Sequence, residues 1–325
     1  MVRLLREKDV GLRKRGIDWR ITGVASRRLG WVVDRSGLDI GRLLSGEMPA
    51  PQISGVREWL RAAEADALFE ATSLEPRGGQ PAIEHIRAAL EHGAHAITAN
   101  KGPIVHAYEE LQGLAQARGK RLLFESTVMD GVPIFSLFRD SLPVIELRGF
   151  HGILNSTTNV ILSGMEEGLT FEESLKKAQE IGVAESDASH DIDGWDAAVK
   201  VAALVRVLMG VPLKLEKIQR EGIASLSAEQ MRAARREGKP YKLVCRARRS
   251  GDGVNASVGP EQVEVGDPMA GITGTSSIVY FETDIFPGLA VTEIDSGVAA
   301  TAYGMLADFV RAVEGEARNG ANDSQ

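Results

Sequence analysis

Between about residues 56 and 125 the chain alternates helix-period and strand-period stretches with little between them, and that alternation restricts the fold more than any single motif. Apolar spacing predicts a helix over 56–63, a buried strand over 67–71, a helix over about 81–92, a strand over 94–99, a helix over about 108–118 and a strand over 121–125. Strands separated by helices are joined by crossovers, so a parallel sheet is expected. Upstream, residues 2–10 read as a helix that Gly16 can close, and 19–25 read as a strand followed by a loop-rich stretch to Pro51. From Val144 the pattern changes to longer strands and helices, with a hairpin around Ser250-Gly-Asp-Gly253 and a strand over 277–282. A last helix over 300–313 is apolar on one face, and 315–325 reads as a frayed polar tail. A chain of 325 residues built this way is expected to form two domains.

Charge and composition narrow the function. A net charge of -7 with only 5% aromatic residues argues against a nucleic-acid surface, which needs a basic face and stacking rings. The longest apolar run, 197–213, is broken by Lys200 and Arg206, so no span of about 20 uncharged residues exists for a membrane. Cys245 is the single cysteine, which rules out an internal disulfide and fits a reducing compartment. The first residues, 1–14, are charged and lack the apolar centre of a signal peptide. These features predict a soluble cytoplasmic protein.

The densest chemistry lies in Glu185-Ser-Asp-Ala-Ser-His-Asp191-Ile-Asp-Gly-Trp-Asp196-Ala-Ala-Val-Lys200, an acid-rich loop leading into a helix. Asp196 and Lys200 are spaced i, i+4 and project from one helical face, so the cluster can hold an ammonium and move a proton. A solvated, salt-bridged helix start is the alternative for that pair taken alone. The surrounding Ala197, Ala198, Val199, Val201, Ala202, Ala203, Leu204 and Val205 weigh against it, because a lysine in such a helix is expected to be partly buried. His92-Gly-Ala-His95 has no third ligand for a metal, and Ser227-Ala-Glu-Gln230 reads as a helix cap.

This acidic run resembles the catalytic stretch of homoserine dehydrogenases. Ala99-Asn-Lys-Gly-Pro103 resembles that family's Asn-Lys element, Glu125-Ser-Thr-Val-Met-Asp-Gly-Val-Pro133 its ion-binding turn, Gly152-Ile-Leu-Asn-Ser-Thr-Thr-Asn159 its central strand and turn, and Ser296-Gly-Val-Ala-Ala-Thr-Ala-Tyr-Gly304 its returning glycine-rich segment. The resemblance implies an α/β fold: a truncated Rossmann-like parallel-sheet domain (1–134 and 296–316), an α+β central catalytic and dimerisation domain (135–295) and a flexible tail (317–325). It implies reversible NAD(P)-dependent interconversion of L-homoserine and L-aspartate 4-semialdehyde, in threonine and methionine biosynthesis, by a homodimer.

Residue by residue, the resemblance places Lys101 and Lys200 on either side of the substrate oxygen, with Asp196 orienting Lys200. Repulsion between the two ammonium groups would lower at least one lysine's proton affinity. Glu185 and Asp191 would take the substrate ammonium, and Thr157 and the Ser156 backbone would contact the substrate, although Ser156 stands where the family more often has glycine. Thr72, Ser73, Asn100, Lys101, Gly297 and Thr301 would contact the cofactor. Glu125 with the carbonyls of Val128, Asp130 and Val132 matches a monovalent-cation site for Na or K, with Met129-Asp130 replacing a glycine-rich turn. Ser26-Arg27-Arg28, at the end of the first expected strand, offers cations and a hydroxyl suited to a 2′-phosphate, favouring NADP over NAD; two solvated loop arginines are the alternative.

A dinucleotide fold usually begins with a strand and Gly-x-Gly-x-x-Gly, whereas this sequence starts at a helix resembling the one that follows that loop. The near-match at Gly251-Asp-Gly253 lies in an expected hairpin and is a decoy. The sequence therefore reads as lacking the first strand and glycine turn, through a late start or genuine shortening, and no regulatory domain is expected after it. Two other readings stay open: a non-catalytic homolog that keeps an amino-acid pocket as a binding or assembly protein, and a dehydrogenase of another small amino-acid semialdehyde.

Overall fold

The computed structural model describes residues 1–47 and 53–322, with side chains up to residue 314. The chain divides into two compact units, Met1–Thr127 with Ala299–Gln325, and Val128–Val298.

The first unit opens with α1 (Val2–Lys14), whose Leu5 and Leu12, two turns apart, bury one stripe with Ile17 and with Leu306 of the C-terminal helix. Then come β1 (Gly23–Ser26), β2 (Gly30–Val33), α2 (Ile40–Ser45) and α3 (Val56–Ala63). In α3, Val56, Trp59, Leu60 and Ala63 are the buried positions, an i, i+3, i+4, i+7 stripe that the sequence shows directly. Trp59 donates its indole N–H to the Val32 carbonyl at 2.8 Å and covers Gly23, where a Cβ would lie 2.7 Å from the ring. The unit continues with β3 (Ala67–Glu70), α4 (Ala82–His92), β4 (His95–Thr98), α5 (Lys101–Ala117) and β5 (Leu122–Leu123). Parallel pairing in the order β3-β4-β5 gives the expected sheet, with Glu70 registered against Thr98, and every residue of the central strand β4 is buried.

Three local expectations need correction. The strand expected over 19–25 appears as β1, which pairs antiparallel with β2 in a separate two-stranded ribbon. The returning arm satisfies the preceding backbone, with Asp34 and Leu38 donating to the Thr22 and Ile21 carbonyls. The helix expected over 108–118 is the second part of α5, which starts at Lys101 and kinks at Ala107 (φ -141°). Gly102-Pro103 reads as a turn in sequence, yet proline is compatible with a first helical turn, where its missing N–H is not needed. The C-terminal helix does not end at Val313 but runs Val298–Asn322, and residues 323–325 of the expected tail lie outside the described residues. Part of the loop-rich stretch, 48–52, also lies outside them.

The second unit carries α6 (Ile134–Ser136), β6 (Leu147–Ile153), α7 (Ser156–Glu166), α8 (Phe171–Glu180), α9 (Ser189–Ile192), α10 (Trp195–Met209), β7 (Gln219–Arg220), α11 (Ala228–Arg236), β8 (Tyr241–Ser250), β9 (Gly253–Gln262), β10 (Ser277–Thr283) and β11 (Leu289–Glu293), before α12 (Val298–Asn322). Its strands form a mixed six-stranded sheet, β11-β10-β6-β8-β9-β7, antiparallel except for β7 with β9. The β8–β9 hairpin turns at Gly251 (φ +57°), so Gly251-Asp-Gly253 is a turn, as expected. The sheet is two-faced. Phe150, Phe281, Val279 and Cys245 are buried, whereas the neighbouring row holds His151 stacked on Tyr280, with Arg246–Glu261 and Arg248–Glu282 ion pairs. Gly152 is required where β6 passes β10, because a Cβ there would sit 2.1 Å from the Ile278 carbonyl oxygen. Among the described residues no helix is long and apolar enough to cross a membrane.

Candidate active site

In the second unit, the end of β6 delivers Leu154 and Asn155 to the start of α7. Asn155 is the N-cap: its Oδ1 accepts from the Thr158 N–H at 2.8 Å, and its Nδ2 donates to Asp191 Oδ1 at 2.7 Å and Asp196 Oδ2 at 2.9 Å. One buried amide therefore joins the two carboxylates. Gly194, at φ +78°, turns α9 into α10, and the Arg220 guanidinium lies 3.8 Å over the Trp195 ring at the start of α10.

One turn along α10, Lys200 is 15% exposed at its side chain. Its Nζ lies 2.9 Å from Asp196 Oδ2 and donates to the Leu154 carbonyl at 2.6 Å, which leaves a third N–H for a substrate oxygen. Burial alone pulls the Lys200 proton affinity down, but Asp196, Asp191 and Asp130 together outweigh it and hold the ammonium above the ordinary lysine range. The expectation of a lowered value is thus corrected for Lys200: its own unit surrounds it with acids. Burial and the neighbouring Asp196 raise the Asp191 carboxyl, while the Asn155 bond and Lys200 oppose that rise.

The second unit also adds groups that the sequence did not single out. Asn155 could have been found as the capping residue between a strand and Thr158. Glu293, the last residue of β11, offered no such signal. Its carboxyl is pushed up to about 7 by burial and by Asp130, with Lys200 opposing, and its Oε2 is buried without a hydrogen-bond partner among the described residues. Met129 and Asp130, which stand where the resemblance expects a glycine-rich turn, both adopt left-handed backbone (φ +53° and +51°). Thr157 Oγ1 lies 3.1 Å from the Val183 carbonyl and also bonds Asp191, while Ser156 Oγ donates to the Thr275 carbonyl. Glu185 is exposed, its carbonyl accepts from Gln179 at 3.2 Å, and among the described residues its carboxylate makes no hydrogen bond to the Asp191 cluster. Cys245 is buried, and burial pushes its thiol up to about 12, which leaves it no nucleophilic role.

In the first unit, Lys101 begins α5 directly after its N-cap Asn100, whose Oδ1 accepts from the Gly102 N–H at 2.9 Å. Asn100 Nδ2 donates to the Thr72 carbonyl at 3.0 Å and reaches Ser73 O at 3.4 Å, so the segments after β3 and β4 are tied at the carboxyl edge of the parallel sheet. Ser26, Arg27 and Arg28 are exposed in the β1–β2 turn, where Ser26 Oγ accepts from the Leu29 N–H. Thr301 accepts through its carbonyl from Ser126 Oγ at 2.8 Å, and Gly297 is exposed in the second unit, just ahead of α12. Glu125 is 2% exposed, its N–H donates to Asp308, and its carboxylate lies 3.3 Å from Arg311 Nη1. Val128 is buried, and Asp130 and Val132 are half-buried. Among the described residues no group of three or more His, Cys, Asp or Glu side chains could hold a metal.

Two family models match: homoserine dehydrogenase over residues 133–310, and homoserine dehydrogenase, NAD binding domain over residues 2–125. The chain is 34% identical over 305 residues to an NAD(+)-dependent homoserine dehydrogenase of Pseudomonas canavaninivorans, covering 91% of this chain and 87% of that relative. It is 30% identical over 320 residues to a homoserine dehydrogenase of Methanocaldococcus jannaschii, covering 95% and 94%. In three dimensions it resembles a homoserine dehydrogenase from Thiobacillus denitrificans, with a TM-score of 0.81 at 30% identity, covering 95% of this chain and 69% of that one.

Proposed function

The chain belongs to the homoserine dehydrogenase family, and from that premise we propose that it interconverts L-homoserine and L-aspartate 4-semialdehyde with a nicotinamide dinucleotide. The observation that carries this reading is Lys200: an ammonium held by Asp196 and Leu154, with one N–H left over, at the edge of a carboxylate cluster that suits an amino-acid ammonium.

The bound nicotinamide supplies hydride for aldehyde reduction and accepts it for alcohol oxidation. During reduction Lys200 Nζ–H donates to the aldehyde oxygen, steadies the developing alkoxide and gives up a proton to it; solvent then restores that proton. Oxidation runs the same path backwards and needs the amine free to take the hydroxyl proton, so the raised affinity of Lys200 makes oxidation rise with pH. Lys101 is the second lysine assigned to this oxygen. Asp196 orients Lys200, and Asp191, with Glu185, takes the substrate ammonium, which relieves the crowding of Asp191 against Asp196. Thr157 and Ser156 line the substrate.

The ends of β3 and β4, with Thr72, Ser73, Asn100 and Lys101, fit the edge where dinucleotides bind in parallel sheets, and Gly297 and Thr301 complete the assigned cofactor contacts. Exposed Arg27 and Arg28, with Ser26, support NADP; the Pseudomonas relative is named for NAD(+), and both are to be assayed. A sodium or potassium ion suits the oxygen donors of Glu125, Val128, Asp130 and Val132, held chiefly through backbone oxygens since the Glu125 carboxylate already faces Arg311. A homodimer in the cytoplasm, serving threonine and methionine synthesis, completes the reading.

Reduced-nicotinamide absorbance with L-homoserine, with aspartate 4-semialdehyde and with longer amino alcohols tests it. Lys200→Met is expected to lower turnover by at least a hundredfold while cofactor binding, followed by fluorescence, persists. Turnover close to that of the unaltered chain would remove Lys200 from this role.

A further inference from the structure

A buried carboxylate in the first unit has no place in the roles above. Glu70, the last residue of β3, is 2% exposed, and among the described residues no ion pair is formed with it. Three donors converge on it: the Thr72 N–H at 2.8 Å and the Thr72 hydroxyl on Oε1, and the Thr98 hydroxyl at 2.9 Å on Oε2. Thr98 Oγ1 in turn accepts from the Asn100 N–H at 2.9 Å. Asn100 then caps Gly102 and holds the Thr72 and Ser73 carbonyls. The bonds all run one way, from Asn100 through Thr98 to Glu70, and they close a ring that spans both strand ends.

We infer that Glu70 is a positioning residue, which fixes Lys101 and the Thr72–Ser73 segment as one piece through the Thr98–Asn100 chain. This rests on the assignment of Lys101 and of Thr72 and Ser73 to the reaction. A carboxylate suits the place because it only accepts, and all three neighbours donate. A glutamine amide of the same shape would present its N–H to the Thr98 hydroxyl, which would have to turn and accept, so the hydroxyl proton would lose its acceptor and the ring its uniform direction. A merely structural Glu70 would affect stability alone. A positioning Glu70 must affect the amide of Asn100, two bonds away, and the chemical step.

The test uses the full chain with Glu70→Gln, Thr98→Val, Thr98→Ser, the Glu70→Gln/Thr98→Val pair and Lys101→Ala. Hydrogen exchange of peptides covering 70–73 and 98–103 is compared with the β8–β9 hairpin, and steady-state rates are measured with L-homoserine and each nicotinamide cofactor. Glu70→Gln and Thr98→Val are expected to speed exchange of the Asn100 and Gly102 amides about tenfold, in line with loss of one buried hydrogen bond, without changing the hairpin. They should lower kcat about tenfold while KM for L-homoserine stays within twofold. The pair should be no worse than its worse member, and Thr98→Ser, which keeps the hydroxyl, should behave like the unaltered chain. Unchanged exchange at Asn100 and Gly102 in both variants, or unchanged kcat despite a lowered melting temperature, overturns the inference. Retained turnover in Lys101→Ala instead refutes the role of Lys101, while the exchange result still judges the Glu70 chain.

Discussion

Replacing Glu293 by glutamine separates two explanations for a carboxyl that lies half-buried at the end of β11. Burial and Asp130 push the group from its ordinary 4.5 up to about 7. The folded chain therefore binds this proton more tightly than the unfolded chain does. Below pH 4.5 both states are protonated and the group is neutral in the balance; between 4.5 and 7 the unfolded state releases the proton while the folded state keeps it, so stability falls as pH rises and levels off above 7. At about 1.4 kcal/mol per tenfold change in proton affinity, the whole gap would amount to roughly 3 kcal/mol, and water screening the exposed part leaves about 1–2 kcal/mol. Glutamine keeps the shape and cannot ionise. Urea unfolding of both proteins from pH 4 to 8.5 should give a difference curve that rises by that amount in favour of Glu293→Gln across the window, equivalent to about 3–6 °C in melting temperature. A difference that stays flat across the window would show that Glu293 ionises normally, and that the burial and Asp130 repulsion invoked for it are not felt.

Other substitutions probe separate parts of the fold. Gly102→Ala should destabilise by about 1–3 kcal/mol and depress turnover, because the new Cβ would meet Gly79 Cα at 2.8 Å, backbone on both sides; unfolding curves with parallel kinetics check it. Lys242 is fully buried with its Nζ 3.7 Å from Glu166 Oε1, and Arg235 also pairs with Glu166. Glu166→Gln should therefore cost about 3–5 kcal/mol by stranding a buried cation, whereas Lys242→Met should be neutral or stabilising in the same urea titration. Arg27→Ser with Arg28→Ser should raise the KM for NADP about tenfold and leave that for NAD within twofold, measured with saturating L-homoserine.

Elements whose stabilising pattern is local could be read before folding. The α3 stripe, the alternation from β3 to β5 and the Ser227–Gln230 capping box are written in consecutive residues, and each is present. The β1–β2 ribbon was hidden because its turn, Ser26-Arg-Arg-Leu29, lacks the usual Asn-Gly or Asp-Gly signature. The first half of α5 was hidden by Gly102-Pro103, residues whose meaning depends on whether a cap precedes them. In the candidate site, the i, i+4 placement of Asp196 and Lys200 was legible. The sign of the Lys200 perturbation was not, because it sums Asp196 with Asp191 in α9 and with Asp130, seventy positions away in sequence, against burial. Electrostatic sums of that kind exist only once the chain is folded. The same applies to Glu70, whose three donors come from two different strand ends.

The bend at Ala107 divides α5 into a short leading piece, 101–106, and a longer trailing piece with Leu111 and Ala115 sunk in the core. A rod that is straight throughout would transmit any tilt of its tip to the sheet beneath it. With a joint at the sixth residue after Lys101, the leading piece, whose Gly102, Pro103, Ile104 and Val105 are buried as well, is seated by its own contacts and need not follow the axis of the trailing piece.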